Sequence, residues 1–198
     1  MHTAELDALA GFALGPLVCF HGGELRVIEQ VLADVETLGK SSNNNDWLGN
    51  GIYFWVGSKE RAQEWAEQKQ AQGLLHKAAV VGALIYPSLC LNLLDFGVID
   101  EVRDAYRFLL EVFKKVEDDP PVNRCEQNGI FVNRPLDCAV IESVHQLRKD
   151  AGLPAYDTVL GAFEEGPSLF EGSAFRERTH LQIAVRNRSC ILKYFLPH

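Results

Sequence analysis

Residues 78–85 read Ala-Ala-Val-Val-Gly-Ala-Leu-Ile, eight positions in a row without a polar side chain. A strand with one wet face alternates apolar and polar residues, so an unbroken run of strand length is expected to be covered on both faces. The fold therefore needs layers on each side of a sheet. A chain of 198 residues can supply them, since a domain of this size hides roughly 70 % of its unfolded surface. A single domain over residues 1–198 is the reading.

Around that run, strands and helices alternate at irregular intervals. Residues 16–23, Pro-Leu-Val-Cys-Phe-His-Gly-Gly, form a short strand ending in a double-glycine turn, with Cys19 and His21 on one face and Val18 and Phe20 on the other. Leu25, Ile28 and Leu32 then recur at helical spacing. Ser58 caps a helix over 59–70 whose apolar stripe is Ala62, Trp65 and Ala66. Residues 98–117 and 137–151 also read as helices, the second opened by a capping Asp137 and stopped by Gly152, with Pro154 beyond. Residues 118–129 between them read as a loop, and a strand or extended segment follows Pro87. Strands are expected within 156–163, 179–185 and 190–195. In the middle one, Thr179, Leu181, Ile183 and Val185 alternate with His180, Gln182, Ala184 and Arg186, so a polar face is available to line a cleft. The pattern points to the α+β class rather than a doubly wound sheet.

Hydrophobic residues make up 47 % and charged ones 23 %, which places the chain with globular proteins. No apolar run nears the ~18 residues that span a bilayer. The opening residues 1–17 carry acidic rather than basic side chains before a modest apolar stretch, unlike a secretory leader, so a cytoplasmic setting with no membrane partner is expected. Cys19, Cys90, Cys125, Cys138 and Cys190 are an odd, scattered set without a C-x-x-C pair, read as buried free thiols and not as a metal site. A formal net charge of −8 repels polyanions. Arg176, Arg178, Arg186 and Arg188 still form a local basic cluster, which reads as a solvated face or as a handle for phosphate groups.

Residues 48–55, Leu-Gly-Asn-Gly-Ile-Tyr-Phe-Trp, place Gly49 and Gly51 in a turn directly before an aromatic strand. This segment, with His21-Gly22 at a strand end and the strand of Gln182 followed by Ile-Leu-Lys-Tyr-Phe, resembles the poly(ADP-ribose) polymerase-like, or diphtheria-toxin-like, branch of the ADP-ribosyltransferases. The three pieces occur in that family's order across residues 17–195. The resemblance implies a split antiparallel β-sheet whose halves clasp NAD, with flanking helices and no metal. It further implies that Tyr53 lies flat on the nicotinamide ring, that Gly22 offers its backbone to the carboxamide, and that His21 hydrogen-bonds the adenosine ribose. Gly51 would let the main chain approach the ligand without a Cβ in the way.

Cleaving the nicotinamide–ribose bond builds positive charge on the sugar, as in glycoside hydrolysis, and a side chain that holds the neighbouring hydroxyl and that charge lowers the barrier. The family carries a glutamate there; this chain has Gln182, a His-Tyr-Gln variant of the triad. A neutral amide cannot act as a base, so one ADP-ribose per acceptor, or NAD hydrolysis, is expected in place of chain elongation. Among Glu164, Glu165, Glu171 and Glu177, the glycine-bearing setting of Glu171 favours it as a base. The resulting expectation is a mono-ADP-ribosyltransferase acting on a protein or nucleic acid, of the kind found as toxins or defence effectors, with an antitoxin or immunity protein as the implied partner. Two alternatives stand beside it: a non-catalytic NAD or ADP-ribose binding module, and an RNA 2′-phosphotransferase-like enzyme, for which the net charge is unfavourable.

Overall fold

A computed structural model describes residues 15–127 and 130–198, without the side chains of residues 125–127, 130 and 132. The leader reading falls largely on residues 1–14, outside the described residues, as does the Cys125 side chain. The elements run β1 (Leu17–Glu24), α1 (Leu25–Leu32), β2 (Ile52–Val56), α2 (Lys59–Ala71), β3 (Ala78–Ile85), β4 (Cys90–Asn92), α3 (Ile99–Lys115), β5 (Arg124–Gln127), β6 (Ile130–Asn133), α4 (Pro135–Asp150), β7 (Thr158–Phe163), β8 (His180–Val185) and β9 (Ile191–Phe195). Seven strands form one sheet in the order β4-β7-β8-β2-β1-β3-β9, while β5 and β6 pair separately. Every pairing in the large sheet is antiparallel except β4 with β7, so the sheet is mixed. A seven-stranded mixed sheet with four helices is compatible with the α+β class.

Three sequence readings are corrected. The 118–129 stretch read as loop contributes strand β5 of a hairpin. Helix α4 starts at Pro135, not after Asp137, because proline suits the first helical turn, where its missing N–H is not needed. Asp137 instead sits inside that turn, accepting from Asn123 Nδ2 at 2.8 Å and pairing with Arg134. The wholly antiparallel sheet implied by the resemblance becomes a mixed one.

Side-chain alternation along each strand assigns the layers. One face presents Cys19, Phe54, Val81, Ala83 and Ile183, packed with Ile28 and Val31 of α1. The opposite face carries two separate cores. Val80 and Trp55 pack with Ala62 of α2, whereas Tyr53, Val159, Phe163 and Ala184 pack with residues of α3 and α4 that include Leu109 and Val144. Strand β3 is thus covered on both sides, as its unbroken apolar run requires. Between α2 and the α3–α4 pair, the middle of the sheet is left without a helix over it.

Helix α2 begins as the sequence reading expects. Ser58 Oγ accepts from the Arg61 N–H at 3.3 Å, and Ala62 and Ala66 are fully buried. Such small side chains let the helix axis approach the sheet closely.

Cys19, Cys90, Cys138 and Cys190 are free and buried. Burial pushes the Cys19 thiol up to about 12 and those of Cys138 and Cys190 up to about 11, so they stay protonated and unreactive at neutral pH. No helix among the described residues is long and apolar enough to cross a membrane.

Candidate functional site

The gap between the two helical layers is a cleft of about 360 Å³. Its floor is the face of β2 and β8 that carries Tyr53, Trp55 and Gln182. His21, Gly22 and Gly51 also line it, so five residues singled out from the sequence, drawn from β1, the turn before β2, β2 and β8, meet in one place. Glu171 does not. It is exposed on the loop after β7, and the carboxylate that does reach the cleft from that loop is Glu165.

The opening at the cleft is made by two strands separating. Strand β1 pairs with β3 along its full length but with β2 only through Cys19–Val56 and Phe20–Trp55. Beyond Phe20 the backbone ladder stops, and the His21 ring takes its place, with Nδ1 2.7 Å from the Tyr53 carbonyl oxygen. A carbonyl only accepts, so Nδ1 carries the proton and Nε2 is left as an acceptor. Burial lowers the imidazole pKa more than the Tyr53 carbonyl raises it, keeping the ring neutral at pH 7.

The glycine turn is built around Tyr53. Its hydroxyl donates to the Gly49 carbonyl at 2.8 Å and accepts from the Leu48 N–H at 2.8 Å. With both roles filled and burial raising its pKa, the phenol is a fixed platform and not an acid or base. Gly49 sits at φ +74°, and a Cβ there would lie 2.4 Å from Glu142 Oε1. Glu142 accepts from the Asn50 N–H at 2.8 Å and from Arg186 Nη1 at 2.5 Å, while Arg186 also reaches the Asn50 carbonyl. Burial opposes ionisation of Glu142, but Arg186 and the Asn50 N–H outweigh it and hold the carboxyl below its ordinary range. Glu142→Ala is expected to cost about 2 kcal/mol in urea unfolding, less than a fully buried pair because Glu142 and Arg186 side chains are 31 % and 21 % exposed.

Three arginines of the basic cluster, Arg178, Arg186 and Arg188, are therefore engaged in structure. Arg178 Nε meets Glu64 at 2.7 Å, and Arg188 donates to the Leu38 carbonyl at 3.1 Å. Arg61 of α2, unmarked in the sequence reading, is the guanidinium that lines the cleft.

Gly22 and Gly51 owe their lack of a side chain to packing. A Cβ on Gly22 would stand 2.2 Å from the Ala62 carbonyl oxygen of α2, and one on Gly51 would stand 3.2 Å from Ala184 Cβ on β8. Gly22→Ala is expected to destabilise the fold by about 2 kcal/mol, because helix backbone cannot yield as a side-chain tip can. Equilibrium denaturation checks this.

Aromatic side chains the sequence reading assigned elsewhere also face the cleft. Trp65, expected to serve helix packing, lines the cleft and stacks obliquely on Trp55 at 5.9 Å between ring centroids. Trp47, within a stretch read only as polar loop, forms another wall. Among the described residues, the buried Trp55 Nε1 and Arg61 Nε donors have no partner. The Gln182 carboxamide is half-buried and has no side-chain partner among the described residues. The cleft thus combines flat rings, an imidazole acceptor, a guanidinium and an amide without a side-chain partner among the described residues.

A second hollow of about 410 Å³ lies on the other side of Trp47, between β7, α3 and α4. It is the larger of the two, but its lining is mostly apolar, and Arg103 and Arg134 there are paired with Asp100 and Asp137. The group with complementary chemistry is the smaller cleft. Among the described residues, no set of three His, Cys, Asp or Glu side chains is grouped to hold a metal ion. No protein-family model, curated protein or solved structure matches the chain.

Proposed function

We propose that the cleft binds NAD and that the chain is a mono-ADP-ribosyltransferase, breaking the nicotinamide–ribose bond and passing one ADP-ribose to a protein or nucleic acid. The observation that carries the reading is the convergence of His21, Gly22, Gly51, Tyr53 and Gln182 on one cleft from strands distant in sequence. Each group suits its part. The Tyr53 ring is held by its hydroxyl at the turn, which leaves its face for stacking on a planar leaving group. His21 Nε2, an acceptor by the tautomer argument, suits a ribose hydroxyl donor. Gln182 provides an amide oxygen beside the sugar as positive charge develops, a weaker electrostatic aid than a carboxylate.

Incubating the purified chain with NAD labelled in the adenylate half, together with cellular protein and RNA, tests the reading. Label in one macromolecular fraction and free nicotinamide in equal amount are the expected result. Binding of NAD with no nicotinamide released would identify a recognition module, a reading favoured by one feature, the amide at position 182.

A further inference from the structure

We propose that Glu165 takes the acceptor's proton in the transfer step, an inference that rests on the NAD-cleaving reading. Among the described residues two carboxylates line the cleft, Asp46 and Glu165. Asp46 is committed to its own loop, accepting from Ser41 Oγ at 3.0 Å and from the Asn43 N–H at 2.8 Å. Glu165 is differently placed. On β7, Gly161 pairs with Gln182 and Phe163 with His180, so positions 161, 163 and, by continuation, 165 share the face that carries Gln182. The carboxylate lies on the side of the sheet where the sugar's positive charge would form.

Its setting fixes one oxygen and leaves the other available. Arg61 Nη2 donates to Glu165 Oε2 at 2.7 Å, and Arg61 is itself tied to Glu64. Oε1 has no partner among the described residues. His180 stands 3.9 Å from Glu165 Oε2, but its Nδ1–H donates to the Arg178 carbonyl at 2.7 Å, and burial holds the ring neutral at pH 7. The histidine therefore does not neutralise the carboxylate, and Arg61 orients it.

The step balances without any redox partner. The ribose–nicotinamide C–N bond breaks with its electron pair leaving on nicotinamide. An acceptor oxygen or nitrogen forms the new bond to the same carbon, and its proton passes to Glu165 Oε1, from which solvent later removes it. Carboxylates perform this task for water in inverting glycosidases, where the electrophile is likewise a sugar cation. With Glu165 in this role, Gln182 needs only to hold the sugar hydroxyl and the charge that develops beside it, and not to act as a base.

The test uses the full chain with NAD and water as acceptor, following nicotinamide release. Glu165→Gln keeps an oxygen for Arg61 to bind, and it is expected to lower kcat about 100-fold while KM for NAD and the thermal midpoint stay close to wild type. Azide, a nucleophile with no proton to lose, should restore release in Glu165→Ala and yield the ADP-ribosyl azide. An unchanged Glu165→Gln rate, a loss that azide does not rescue, or the same loss in Glu171→Gln instead would overturn the assignment. Wild-type protein that releases no nicotinamide would remove the NAD-cleaving reading and the base together, whereas active wild type with an active Glu165→Gln removes the base alone.

Discussion

Gln182→Ala is expected to reduce nicotinamide release about 100-fold while NAD affinity changes less than threefold. Removing one preorganised polar group aimed at developing charge typically costs 10²–10³ in kcat, roughly 3–4 kcal/mol. The side chain is half-buried on the cleft floor with no side-chain partner among the described residues, so none of these substitutes for it. Gln182→Glu should move the other way, raising turnover about tenfold, because a charged acceptor binds the sugar hydroxyl about twice as strongly as an amide. Steady-state rates with direct calorimetric binding separate the two effects. A Gln182→Ala protein as fast as wild type would show that position 182 takes no part in the chemistry.

Lowering the pH from 7 to 4 is expected to remove at least about 3 kcal/mol of folding stability. The main source is His145 of α4, whose ring is buried with neither nitrogen bonded and whose pKa burial lowers to about 4. In the unfolded chain the same group titrates near 6.5. Between those values the unfolded state binds the proton and the folded state refuses it, so stability falls as pH drops through that window. His145 alone contributes about 3 kcal/mol by this reckoning. His21 and His180, also lowered by burial, act in the same direction. Glu142 and Glu64, held below the ordinary carboxylate range, add their loss at the acid end, since stability they provide above the unfolded pKa disappears on protonation. Asp46 runs the opposite way, because burial raises its pKa and protonation relieves it. Denaturant titrations at several pH values measure the slope, and His145→Phe should flatten it between pH 6.5 and 4. A slope unchanged by that substitution would assign the acid sensitivity elsewhere.

Much of the sheet was legible because local pattern and global burial agree there. The run at 78–85, the alternation through 180–185 and the Ser58 cap all describe elements found in place. What stayed hidden depends on contacts between distant segments. The packing that also requires a glycine at position 22 is visible only once helix α2 is seen against it, and that contact joins residues 40 apart in sequence. The Glu142–Arg186 clamp on the glycine turn likewise joins two elements that no spacing rule connects. Glu165 was recoverable in part: just past the end of β7, it continues the parity of Gly161 and Phe163 that faces Gln182, a cue that Glu171, farther along the loop in a turn, does not share. Trp47 carried no periodic signal because it sits in an irregular segment, where orientation is set by tertiary contact with Phe163 and Arg134.

Where β1 and β2 diverge after Phe20, main-chain geometry opens the hollow that Gly22, Gly39 and Gly51 help to line. Smaller side chains at positions 47 and 65 would therefore recontour the groove without sealing it. Libraries varied at those two tryptophans, with the core residue Trp55 kept, should yield altered ligand preference far more often than loss of the fold, which makes this crevice a tolerant template for redesign.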